Sequence, residues 1–343
     1  MRQVILFLAS LVAVAGCSTG LGVKTLSKVH LAPPVLPVTP ATEQLCEMPL
    51  PGDSGAQAKV AVVDVDGLIL NLDMTGLGSR GENPVELFRE KLDCIAADAE
   101  VCAIVLRINS PGGGVAASDM MWHDLVTFKQ RRPVPVVACL MDMGTGGAYY
   151  LATGADHIVA HPTTVTGGMG VILNLYNLQD MMAQFNVIAT PIRSGDHVDL
   201  GSPVRAMSPE SRKILQDMAD EFHNRFQHVV QQSRLGHDPR RLDDFDGRIF
   251  TAQQALERGL IDQIGYLDDA ITAAKAMAKL QCARVVLYHR ISDRGRNAYA
   301  TTPNVPLQSA LLPLSVPGLD RSKLPTFLYL WQADPTLEKM GGR

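Results

Sequence analysis

Two glycine-rich turns carry most of the residues in this chain whose types and spacing could do chemistry. The first, Asn109-Ser110-Pro111-Gly112-Gly113-Gly114, directly follows an apolar run and precedes a helical pattern, so a strand edge must turn sharply there. In α/β sheets ligands bind outside such carboxyl ends. The backbone N–H groups of Gly112, Gly113 and Gly114 stand clear of any side chain and could hold a developing oxyanion. The second, Met143-Gly144-Thr145-Gly146-Gly147-Ala148-Tyr149-Tyr150, stands at the next strand-to-helix turn, so the two turns should lie side by side and frame a cleft. Thr145 is the hydroxyl on this elbow, at the start of a helix whose dipole favours a developing anion. A helix cap is its plainer use. Gly146 and Gly147 add two more backbone amides. Phosphate binding is not supported, because neither GxxxxGK[ST] nor GxGxxG occurs.

The elements that must position these turns follow from hydrophobic period. Strands are expected at 60–65, 68–70, 103–108, 134–140, 157–160, 166–172 and 284–288, and helices at 84–97, 116–129, from near 146, and at 271–280. Ser208-Pro209-Glu210 supplies a cap and a proline for a long helix whose stripe is Ile214, Met218, Phe222, Phe226 and Val229, expected to pack on the core. Residues 247–265 read as strand, turn and helix. Nearly continuous apolar strands alternating with helices imply repeated βαβ units, a parallel sheet and helices on both faces. At 343 residues with 46% hydrophobic, one α/β domain plus extensions is the simplest count. With 31 basic against 35 acidic residues and a net charge of -4, there is no broad positive field, which argues against a nucleic-acid partner.

Several segments together resemble the SppA signal peptide peptidases. They are Arg107 to Gly113, Gly146 to Tyr150, Ala155 to Pro162, Thr166 to Val171, Leu200 to Pro203, Met207 to Glu210, Gly247 to Thr251 and Ala255 to Asp262, in order from about 59 to 280. The resemblance implies the ClpP/crotonase fold, ring-like homo-oligomers, no metal or organic cofactor, and cleavage of residual signal peptides by a serine-lysine dyad. The family usually shows Ala-Ser-Gly-Gly-Tyr-Tyr at the elbow. Counting back from Tyr149 puts its serine at Gly146, and a one-residue shift puts it at Thr145. Its Ser-Gly-Lys-Tyr-Lys-Asp motif reads here Ser194-Gly195-Asp196-His197-Val198-Asp199, so Val198 stands where the lysine is expected and Asp196 where the preceding lysine is. Gly168 replaces the serine common in Thr-Gly-Ser-x-Gly.

A valine can neither take a proton nor carry a charge, and a hydroxyl needs a nearby base. Two readings follow. One is a pseudopeptidase whose cleft binds extended peptides or whose ring organises other envelope proteins. The other is an active peptidase cleaving signal peptides or other short peptides, with Thr145 as nucleophile and His197 or His161 as base. Acyl-CoA chemistry, also found on this fold, conflicts with export.

Export is read from the N-terminus. Arg2 precedes an apolar run from Val4 to Val14, too short to span a bilayer. Val14-Ala15-Gly16-Cys17 resembles the lipobox of bacterial lipoproteins, which implies a signal peptide at 1–16, lipidation of Cys17, and attachment to the envelope facing the periplasm. Ser18 after the cysteine favours the outer over the inner membrane. Residues 17–58, rich in Pro, Thr and Gly, read as a tether, 59–290 as the peptidase-fold domain and 291–343 as a tail. That tail carries several prolines and the apolar patch Phe327-Leu328-Tyr329-Leu330-Trp331, suited to core, docking or membrane contact, of which docking on the body of the protein is the plainest. Beyond Cys17 there are five cysteines, with Cys94 and Cys102 spaced either to bridge or to be buried separately, and no cluster with metal-ligand spacing.

Overall fold

Alternation along the central strands decides the architecture. In β2 (Lys59–Asp66), Val60 and Val62 face one side of the sheet and Ala61, Val63 and Val65 the other, and all five are buried. A strand apolar on both faces must be covered twice, so helices have to lie above and below it. The computed structural model describes residues 44–50, 55–72, 75–76, 79–80, 82–234, 238, 242–290, 297–300 and 327–331. The signal peptide, Cys17 and residues 17–43 of the expected tether lie outside them.

The strands are β1 (Leu45–Pro49), β2, the short hairpin β3 (Thr75–Gly76) and β4 (Ser79–Arg80), β5 (Val101–Ser110), β6 (Gly112–Gly114), β7 (Val136–Thr145), β8 (His157–Ala160), β9 (Val165–Gly167), β10 (Ile249–Thr251), β11 (Gln263–Ile264), β12 (Arg284–Arg290) and β13 (Leu328–Leu330). Nine of them form one sheet with the path β1-β12-β2-β5-β7-β8-β11, while β9 branches from β7 and carries β10. From β12 to β11 every pairing is parallel. The fold is therefore the α/β, ClpP/crotonase-like arrangement, with its site at the carboxyl ends of β5 and β7.

Helices α1 (Pro84–Ala97), α2 (Val115–Arg131), α3 (Gly147–Ala152) and the far end of α5 (Pro209–Ser233) cover one face through Phe88, Leu92, Met121, Leu125, Tyr150 and Phe226. The other face is covered by α7 (Leu267–Met277), through Leu267, Ala270 and Ala274. Local chemistry sets the helix starts. Asn83 accepts from the amides of Val85 and Glu86 ahead of α1, and Ser208 accepts from Ser211 N ahead of α5, each with proline beginning the helix. Thr251 and Gln254 form a capping box on α6 (Ala252–Glu257). A short α4 (Gln179–Gln184) interrupts the largely irregular stretch after β9.

Sequence and structure differ at several places, four of which bear on the architecture. Residues 45–49, inside the expected tether, are a strand added antiparallel to β12, with Leu45 opposite Arg290 and Pro49 opposite Val286. Residues 68–70 make a single bridge from Ile69 to Gly113 and no strand. The run expected as a strand at 166–172 stops at Gly167, because Gly167 and Gly168 take φ of +88° and +64°. The stripe of α5 is buried at Phe226 and Val229, whereas Met218 is exposed, so only its second half packs on the core. Cys46, Cys94, Cys102, Cys139 and Cys282 are free thiols. Burial raises the pKa of Cys139 to about 12, far from reactivity at neutral pH.

Asp262 ties the far edge of the sheet together. Its carboxylate accepts from Ile158 N at 2.7 Å and pairs with the buried Arg234 at 2.7 and 3.1 Å. Burial alone would raise its pKa, but the guanidinium and the amide outweigh burial and hold it below the ordinary carboxylate value. A carboxyl lowered in the folded state stabilises the fold above its unfolded pKa, and that share is lost as pH falls through the folded value. Asp262→Asn should therefore flatten the acid limb of stability below about pH 4, read as urea midpoints across pH.

Candidate functional site

The first turn is a backbone device. Ser110 Oγ accepts from Gly112 N at 3.1 Å, and Gly112 has φ +101°. Strand β6 then runs beside Ile69, which donates to Gly112 O at 2.9 Å and accepts from Gly114 N at 2.8 Å. A Cβ on Gly113 would stand 1.9 Å from Ile69 O, so only glycine fits. Asn109 joins this turn to its neighbours, donating to Asp66 Oδ1 at 3.1 Å and accepting from Met143 N at 3.3 Å. Burial raises the pKa of Asp66, and the Asn109 amide partly offsets that.

The second turn has one residue in a conformation that only glycine adopts without cost. Gly146 has φ 54° and ψ -122° between β7 and α3, with its amide donating to Gly167 O at 2.8 Å. This sharp strand-to-helix turn is the kind on which a nucleophile elbow raises its side chain above the sheet. The elbow residue is thus Gly146. Thr145, one residue earlier, is fully buried, and its hydroxyl donates to Pro111 O at 3.1 Å, tying one turn to the other. Gly147 packs so tightly that a Cβ would lie 2.0 Å from Ser118 Oγ.

Between the turns lies β13. It pairs antiparallel with β6, Tyr329 opposite Gly113, and Ile172 exchanges both backbone hydrogen bonds with Leu328 on its other edge, at 2.9 and 3.0 Å. The Tyr329 carbonyl oxygen is 2.1 Å from where a Cβ on Gly112 would be and 2.3 Å from one on Gly146. Its ring is buried against Tyr150, stacked with centroids 5.4 Å apart, and Phe226 at 4.7 Å, and its hydroxyl donates to Phe222 O at 2.6 Å. Burial raises the pKa of both Tyr329 and Tyr150, the latter helped by its 2.6 Å bond to Asp119, so both phenols remain donors at neutral pH.

Residues 128–281 match peptidase family S49. The putative signal peptide peptidase SppA of Enterococcus faecium is 31% identical over 236 residues, which cover 69% of this chain and 68% of that protein. The chain belongs to the SppA-type S49 peptidase family. A putative protease of Synechocystis sp. is 36% identical over 54% of this chain and 66% of its own length. Protease 4 of Salmonella typhi is 30% identical over 67% of this chain, which spans 36% of that larger relative.

Set against the SppA motif, the remaining residues are scattered. Val198 is 68% exposed, whereas the atoms nearest a Cβ on Gly146 belong to Tyr329 and Leu330. Asp196 and His197 lie on the same exposed turn, with His197 Nε2 3.6 Å from Glu210. His161 bonds Thr163 at 2.8 Å and meets the edge of Tyr266, so the hydrogen bond of Thr145 runs to Pro111 O and to neither histidine. Gly168 does sit at the elbow, where a Cβ would be 3.4 Å from Gly146 N and 3.2 Å from Trp331 Cβ. Among the described residues no group of three or more His, Cys, Asp or Glu converges on a metal position, and no helix is long and apolar enough to cross a membrane. The sequence reading did not include Tyr150, Phe222, Phe226 and Tyr329 in the site. The available signal was the isolated aromatic patch of the tail, which needs a partner for its apolar face.

Proposed function

We propose that this chain is a pseudopeptidase of the SppA family, an envelope lipoprotein that binds extended peptides without cutting them. The observation that carries this reading is the elbow itself. A serine-lysine mechanism needs a hydroxyl on the residue at this sharp turn, and here that residue is Gly146. Thr145 offers no substitute, since its Oγ1 is buried and committed to Pro111 O. Gly112, Gly113 and Gly147 keep both turns in close contact. Because the amides of Gly112, Gly114 and Gly146 already donate to Ser110 Oγ, Ile69 O and Gly167 O rather than standing free for an oxyanion, the edge of β6 is what would hold an extended chain. In the same reading Cys17 is lipidated and holds the domain to the membrane, the outer one by the residue at 18, facing the periplasm. Copies of the chain assemble as homo-oligomers, and peptides or signal-peptide remnants are the ligands.

The test is covalent labelling of the detergent-solubilised chain with a fluorophosphonate or peptidyl aldehyde, read by intact mass beside an active serine-lysine relative. No adduct is expected on this chain. An adduct that disappears in Thr145→Ala would instead establish a threonine peptidase and overturn the proposal.

A further inference from the structure

A peptide held as an added strand uses its main chain for affinity and its alternate side chains for selection. Residues 327–331 do both within the cleft. Val115 N donates to Phe327 O at 3.1 Å and Trp331 N to Pro111 O at 3.3 Å on the β6 edge, while Leu328 is bonded twice to Ile172 on the other. Between these, Tyr329 drops into the aromatic pocket beside the elbow and is fully buried there. Its carbonyl is wedged between the two turns at a depth that tolerates no Cβ on Gly112 or Gly146.

We propose that the cleft is a binding site for extended peptides with a tyrosine between two aliphatic residues, and that its resident ligand is the chain's own segment 327–331. The proposal rests on the reading above, that the cleft binds peptides. It adds the ligand class and the regulation. The pocket selects tyrosine because its walls are Tyr150 and Phe226 and its floor offers the Phe222 carbonyl to a hydroxyl. Glycine at 146 has a positive role here, since it admits a peptide backbone where a serine side chain would stand. Because the segment is tethered to its own site, it competes at an effective concentration of order millimolar. A peptide from another protein then binds with its affinity reduced by the fraction of clefts that are vacant.

The experiment uses a fluorescein-labelled peptide of residues 324–334, Leu-Pro-Thr-Phe-Leu-Tyr-Leu-Trp-Gln-Ala-Asp, titrated into the full chain and into full-chain Tyr329→Ala. Binding at least tenfold tighter to the variant is expected, and the same peptide with alanine for tyrosine should lose at least tenfold on that variant. A second measurement needs no variant. Amides of 327–331 in the wild-type chain should exchange slowly, and saturating unlabelled peptide should speed them at least tenfold. Equal affinity for both chains, with no faster exchange, would overturn the tail's role while leaving a peptide-binding cleft. Absence of binding to both chains, with the tail of Tyr329→Ala already exchanging fast, would overturn the peptide-binding reading itself.

Discussion

Gly146→Ala is expected to lift the tail strand off the elbow while leaving the central sheet folded. The backbone at 146 has φ 54° and ψ -122°, a region that costs a residue with a side chain about 1–3 kcal/mol. The new methyl would also begin 2.3 Å from the Tyr329 carbonyl oxygen and 2.7 Å from its carbon, and both are backbone atoms that no rotamer change can move. The strand must therefore withdraw, taking Tyr329 from a pocket where it is fully buried. Losing such an aromatic contact is worth about 3–5 kcal/mol of local stability. The loss is confined because β13 belongs to a two-stranded sheet with β6 and adds no strand to the central nine. Hydrogen exchange should show amides of 327–331 released at least tenfold while those of β5 and β7 keep their protection. A tail that stayed protected in the variant would mean that the strand can accept a side chain at 146, and the close approach would not explain the glycine.

The repeated βαβ order was legible because its signal is local. Each strand is apolar on both faces and each helix shows its spacing within one stretch of chain, so α1 is observed at 84–97, the range its pattern gives. The two turns were legible as glycine clusters for the same reason. Their register was not. Whether Gly146 or Thr145 holds the elbow depends on a φ/ψ pair, and both residues fit a strand-to-helix turn by composition. Strand β1 was hidden because its partner β12 is remote in sequence and Leu45-Cys46-Glu47-Met48-Pro49 ends in a proline that usually marks a loop. The tail patch could be seen as apolar and placed on the body of the protein, but the groove that receives it has a floor of glycine backbone, which leaves no side-chain pattern to read. Lys91 was missed for a different reason. Helical spacing counts apolar residues, and a lysine among Leu87, Phe88, Leu92 and Ile95 reads as a solvated position unless its partner is known.

That partner is Asp64, and Lys91→Met should show what the pair contributes. Lys91 Nζ lies 2.5 Å from Asp64 Oδ1, with the two side chains only 1% and 5% exposed. Asp64 is in register with Arg107 on β5, whose guanidinium donates to the carbonyls of Ala298 and Ala300. The ammonium thus joins α1 to the middle of the sheet at a point where water does not reach. Methionine keeps most of the volume, so the expected cost of about 3–5 kcal/mol comes from leaving the Asp64 carboxylate buried without this counter-charge. A surface pair at the same distance would give less than about 1 kcal/mol, which makes the size of the loss diagnostic. Asp64→Asn added to Lys91→Met removes the carboxylate charge and should recover part of the loss. Urea midpoints for the three chains at pH 7 measure this. A variant as stable as wild type at pH 7 would mean that the other groups around Asp64, Arg107 among them, compensate its charge, and that the helix is held by its apolar stripe.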